Sequence, residues 1–99
     1  MNIRFTKLAE TDLLNIKKNV YDASKDEKTV EKIIKDIIVS LERLKDFPDS
    51  GARYEDDDGK LLYRYVKSGN YYSFYKHIKN NVDVYRILYA KRDFKKILI

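Results

Sequence analysis

Apolar residues recur along this chain with more than one period, and each period predicts a different kind of element. Ile3 and Phe5 flank Arg4, the alternation of a strand over Met1 to Thr6. From Lys7 the spacing lengthens to Ala9, Leu13, Ile16 and Val20, which lines one stripe of a helix ending near Tyr21. Ser24, followed three residues later by Glu27, reads as a capping box that opens a second helix. Its stripe runs through Val30, Ile33, Ile34, Ile37, Ile38, Leu41 and Leu44, and Phe47-Pro48 closes it because proline cannot extend the hydrogen-bond ladder. Two amphipathic helices with a short connection predict an antiparallel hairpin.

Asp49 to Lys60 is polar, holds Gly51, Gly59 and the acidic run Glu55-Asp56-Asp57-Asp58, and predicts an exposed loop. The run lacks the ligand spacing of a calcium loop, so no metal is expected there. Beyond it the texture changes to tyrosine and β-branched residues. Leu61 to Lys67, Tyr71 to Ile78 and Val82 to Tyr89 are three strand-length runs, parted by the turn sequences Ser68-Gly69-Asn70 and Lys79-Asn80-Asn81. They predict an antiparallel meander. Lys91 to Ile99, with Phe94 and Leu98 four apart, predicts a short helix or packed tail. The expected class is α+β in the order β-α-α-β-β-β-α, one domain over residues 1–99, with the helix hairpin on one face of the sheet.

Composition changes this picture in two respects. With no cysteine and a single histidine, His77, the chain offers no thiolate nucleophile and no conventional zinc site, and no cofactor is expected. No run approaches the roughly 18 apolar residues of a membrane span, and the amino terminus lacks the plan of a secretory signal, so a cytoplasmic location is expected. Charge is more informative. Residues 1–59 carry 11 Lys/Arg against 14 Asp/Glu, whereas residues 60–99 carry 10 against 2, so a net +5 conceals a carboxy-terminal +8. A basic surface of that kind attracts phosphates or an acidic protein.

Three segments carry a resemblance. Ile3-Arg4-Phe5-Thr6 with Ala9, Asp12, Leu13 and Ile16 opens the chain, and Leu41-Glu42-Arg43-Leu44 leads to Phe47-Pro48-Asp49-Ser50-Gly51. The close runs Gly69-Asn70-Tyr71-Tyr72-Ser73-Phe74-Tyr75, Val82-Asp83-Val84-Tyr85-Arg86-Ile87-Leu88 and Tyr89-Ala90-Lys91-Arg92-Asp93-Phe94. In this order and spacing they resemble the RelE/ParE family of bacterial toxins. The resemblance implies a growth-inhibiting toxin neutralised by a cognate, acidic antitoxin, with which it forms a hetero-oligomer. It implies one of two targets. ParE-like members poison DNA gyrase, and RelE-like members are endoribonucleases that cut messenger RNA on the ribosome. The segments around Asn70-Tyr71-Tyr72 and Ile87 to Phe94 look more like the ParE branch.

Cutting RNA needs a proton acceptor, cations on the phosphate and a proton donor. For that chemistry the candidates are Arg92, Arg86, Tyr89, Lys91 and Arg64. For binding a target or antitoxin they are Arg64, Lys67, Tyr72, Arg86, Lys91, Arg92 and Phe94. Arg86 is expected on the open sheet face, and the basic residues together are expected to make that face one cationic surface. His77 is expected to be an exposed spectator.

Overall fold

The computed structural model describes residues 1–98; Ile99, the end of the expected tail, lies outside the described residues. The chain runs β1 (Asn2–Phe5), α1 (Lys7–Ser24), α2 (Glu27–Glu42), a 3-10 turn (Arg43–Lys45), β2 (Ala52–Glu55), β3 (Leu61–Ser68), β4 (Tyr71–Ile78), β5 (Asn81–Tyr89) and α3 (Phe94–Leu98). The class is α+β, as expected.

Thr6 starts α1: its hydroxyl oxygen accepts from Ala9 N at 3.1 Å and donates to the Tyr85 carbonyl at 2.9 Å, so one side chain both caps the helix and ties it to β5. The helix stops where Lys25 turns left-handed at φ 54°. Here the expected capping box is corrected. The Ser24 hydroxyl donates back to Val20 O at 2.8 Å and so finishes α1, while Asp26 caps α2 by accepting from Lys28 N at 3.0 Å. A carboxylate at the junction outcompetes the hydroxyl because it also accepts from Thr29 Oγ1 at 2.9 Å.

One five-stranded sheet, in the order β1-β5-β4-β3-β2, carries the hairpin. The meander β3-β4-β5 is antiparallel with two-residue turns, in which Gly69 (φ 56°) and Lys79 (φ 53°) take left-handed conformations. Two features go beyond or against expectation. β1, whose partner the sequence left open, pairs parallel with β5, setting Ile3 beside Val82 and Phe5 beside Val84. The expected loop from Asp49 to Lys60 contains β2, which pairs antiparallel with β3 and closes the far edge. Beyond β2, Asp56 organises a tight loop by accepting from Asp58 N and Lys60 N, each at 2.9 Å.

The helices pack on one face. Ala9 and Ile16 of α1 and Ile37 and Leu41 of α2 bury against Tyr75, Val82, Val84 and Ile87. Opposite strands place Tyr63, Tyr65, Tyr72 and Phe74 on the other face, because side chains alternate along a strand. β5 bulges between the two halves of its pairing with β4: Val84 opposes Tyr75 and Arg86 opposes Phe74, leaving Tyr85 as the extra residue. The bulge breaks the alternation, so that Arg86 and Val84 do not share a face.

Candidate functional site

Where β1 ends, the outer edge of β5 is covered by α1 instead, and this contact shapes the site. Asp12 is only 8% exposed on the inner stripe of α1. Its carboxylate accepts from Arg86 Nε at 2.8 Å, from Arg86 Nη2 at 2.9 Å and from Ile87 N at 2.9 Å. A bidentate arginine and a backbone amide thus satisfy one buried carboxylate. The hydrogen bond it donates to Asp12 holds the Arg86 guanidinium above its ordinary pKa despite burial. Arg86 is therefore not directed onto the open sheet face, which corrects the expectation; it locks α1 to the bulged strand.

Beside this clamp lies a groove of about 670 Å³ between the hairpin and the end of β5. Ile16, Val20, Ile33 and Ile87 form its apolar floor, with Tyr71 and Tyr89 as a wall. Those two rings meet edge to face at 5.6 Å, and burial followed by the neighbouring Tyr89 pushes the Tyr71 phenol above its ordinary pKa. Asn15 and Asn19, one helical turn apart on α1, and Arg92, exposed just after β5, supply polar groups at the rim. Asp12 reaches the groove already neutralised by Arg86, so Arg92 dominates its charge. Lys91 is exposed next to it.

The remaining sequence candidates lie elsewhere. Arg64 shares the helix-side face of the sheet with Tyr75, its opposite number in β4; Arg64 Nη1 donates to Gly51 O at 3.1 Å, and its Nε lies 4.0 Å from Asp49. Tyr75 fixes the same turn, donating to Pro48 O at 2.8 Å and accepting from Gly51 N at 3.0 Å. Burial raises the pKa of that phenol. His77 adds a further tether, with Nδ1 3.0 Å from Asp49 and Nε2 2.9 Å from the Lys79 carbonyl. It is exposed, as expected, and forms part of the latch around this turn. Lys67, Tyr72 and Phe94 sit on the far face, Lys67 Nζ at 5.2 Å over the Tyr72 ring and Phe94 at 5.1 Å from it.

The structure therefore brings Tyr89 and Arg92 together, and Lys67, Tyr72 and Phe94 together, but on opposite faces of the sheet. The single cationic sheet surface does not form. Arg64 lies on the helix side, donating to Gly51 O with Asp49 4.0 Å away, and Arg86, opposite Phe74 by register, has its guanidinium taken up by Asp12 of α1. Sequence reasoning did not single out Asn15, Asn19 or Tyr71, and it used Asp12 only as part of a resemblance. The signal for Asp12 was present: a carboxylate inside the apolar stripe between Ala9 and Ile16 demands a cation. Among the described residues no three His, Asp or Glu side chains converge on a metal-sized site, and no helix is long and apolar enough to cross a membrane.

A helix hairpin backing one face of a mixed sheet, with an apolar groove rimmed by an arginine at the hairpin's end, defines a small α+β chain with one candidate binding groove. The family model described as "ParE toxin of type II toxin-antitoxin system, parDE" matches residues 3–94, and the chain belongs to that family. Ten solved chains match; one, from the chromosomal ParDE TA system of P. aeruginosa, has a TM-score of 0.74 over 92% of this chain and 97% of that one, at 17% identity. No curated protein matches.

Proposed function

We infer that this ParE-family toxin arrests growth by poisoning DNA gyrase in the cytoplasm, and that a cognate acidic antitoxin silences it by occupying the groove beside Arg92. Family membership over residues 3–94 is the observation that carries the reading. The geometry weighs against the alternative, a ribosome-dependent messenger-RNA endonuclease. That chemistry needs several cations around one phosphate, and Arg86 is held by the buried Asp12 while Arg64 is engaged by the Gly51 carbonyl. For the antitoxin, the apolar floor takes side chains of a segment that orders as it binds, and Arg92 meets one of its carboxylates.

The test is to add the purified protein to gyrase and supercoiled DNA, and separately to a translating extract. Accumulation of cleaved DNA held by gyrase, with messages intact, is the expected result. Cut messages with gyrase turnover unchanged would reverse the assignment. Supplying the neighbouring gene's acidic product restores gyrase in the first arm, and its failure to copurify with the toxin would remove the antitoxin part.

A further inference from the structure

The groove between the hairpin and the end of β5 holds polar groups of two kinds. Some are spent within the fold: Asp12 accepts from Arg86 and the Ile87 amide, the Ser24 hydroxyl donates to Val20 O at 2.8 Å, and the Thr29 hydroxyl donates to Asp26 at 2.9 Å. Asn15 and Asn19 are not spent. Both are exposed and both line the groove, and among the described residues neither carboxamide has a hydrogen-bond partner.

Their spacing is informative. Four residues apart on α1, they sit side by side about 6 Å apart along the helix axis. Alternate residues of an extended chain repeat at about 6.6 Å, nearly the same step. Each carboxamide offers an acceptor oxygen and a donor NH2, the complement of the N–H and C=O that one strand residue turns to one side. The pair therefore matches two alternate residues of an extended segment laid along α1. Those residues send their side chains to a common face, here the floor of Ile16, Val20, Ile33 and Ile87. A helical occupant spends its backbone groups on itself. It would dry both carboxamides without answering them, which is costly for each.

We propose that Asn15 and Asn19 read the backbone of the groove's occupant, which is an extended segment with apolar residues at alternate positions and a carboxylate within reach of Arg92. The proposal rests on the antitoxin occupying this groove, and it adds the conformation that the groove selects.

Titration calorimetry with the neighbouring gene's acidic product separates the two. A full-length chain carrying Asn15→Ala and Asn19→Ala should bind between about tenfold and a hundredfold more weakly. Its melt should be unchanged, because both side chains are exposed. Full affinity in that variant overturns the proposal; if Arg92→Ala still weakens binding, the groove reading stands, and if it does not, that reading falls too. A second measurement uses the parent protein and short overlapping peptides of the same product. Methylating the backbone nitrogens of the tightest peptide one at a time should abolish binding at two alternate residues and spare the residue between them. Loss at every position, the mark of a helical occupant, overturns the proposal, as does loss at none or the failure of every peptide to bind.

Discussion

Asp12→Ala is the most informative single change, because one carboxylate satisfies three donors at the junction of α1 and β5. Removing one partner of a buried pair costs about 3–5 kcal/mol, chiefly because the other charge is left without compensation. Two facts set the value here. The Arg86 side chain is 20% exposed, so water reaches the abandoned guanidinium in part and draws the cost down. Ile87 is 2% exposed, so its amide loses its acceptor where water does not easily replace it, which adds about 1–3 kcal/mol. The balance is a loss of about 3–4 kcal/mol, and at about 4–8 °C per kcal/mol in a domain of this size the melting temperature falls by roughly 12–32 °C. Asp12→Asn keeps an acceptor for Ile87 N and loses less. Adding Arg86→Leu to Asp12→Ala removes the stranded charge, so the double variant should melt above Asp12→Ala alone. Scanning calorimetry at neutral pH measures all four proteins. If Asp12→Ala melts within a few degrees of the parent, the junction is not what holds the hairpin to the sheet, and the account of Arg86 given above is wrong.

Gly51→Ala should cost about 2–3 kcal/mol by denaturant melts, since its Cβ would lie 2.5 Å from Tyr75 Oη and 2.9 Å from the Tyr65 carbonyl, neither of which can retreat; a neutral substitution would show that the Pro48 to Gly51 turn can shift. Burial raises the phenol pKa of Tyr63, Tyr71 and Tyr75 above 10.0 in the folded chain, so their contribution to stability is complete below that value and is lost as pH rises through the folded values. Melting temperature should therefore stay level through mildly alkaline pH and fall beyond it, with a shallower fall in Tyr75→Phe; identical alkaline limbs would contradict the assignment to Tyr75. Arg92→Ala should weaken antitoxin binding by about tenfold or more in titration calorimetry while leaving the melt unchanged, because the side chain is exposed at the groove rim. Unaltered affinity would move the antitoxin off this groove.

Both long helices were legible from their stripes, since Ala9, Ile16, Val30, Ile37, Leu41 and Leu44 are buried. The meander was legible from turn chemistry at Gly69-Asn70 and Lys79-Asn80. β2 was not, because Ala52-Arg53-Tyr54-Glu55 is a four-residue edge strand with charged outward positions, and its pairing partner lies in β3. The parallel contact of β1 with β5 joins residues nearly eighty positions apart and leaves no local trace. For the site, alternation alone could not place Arg86, since the bulge at Tyr85 resets which way the following side chains point. Arg92 was found as a candidate, but the groove around it is assembled from α1, α2, β4 and β5, and its polar residues on α1 stood in what read as an ordinary solvent-facing stripe.

The division of charge along the chain shows why a sequence asymmetry need not become a surface. The carboxy-terminal 40 residues hold a net +8, yet folding brings amino-terminal carboxylates to them: Asp12 to Arg86, Asp49 to Arg64, Asp57 to Lys95. Arg4 returns the exchange by pairing with Asp83 at 2.7 Å, and that hydrogen bond holds the Asp83 carboxyl below its ordinary pKa. Lys67 and Lys76 lie over tyrosine rings at 5.0–5.2 Å, their charge set against aromatic faces. Opposite charges segregated in sequence thus become cross-links between elements distant along the chain, with Asp12–Arg86 joining the hairpin to the sheet, while Lys91 and Arg92 emerge exposed beside an apolar groove. A few exposed cations over an apolar floor select a segment with matching apolar side chains, whereas a uniform cationic sheet would attract any polyanion.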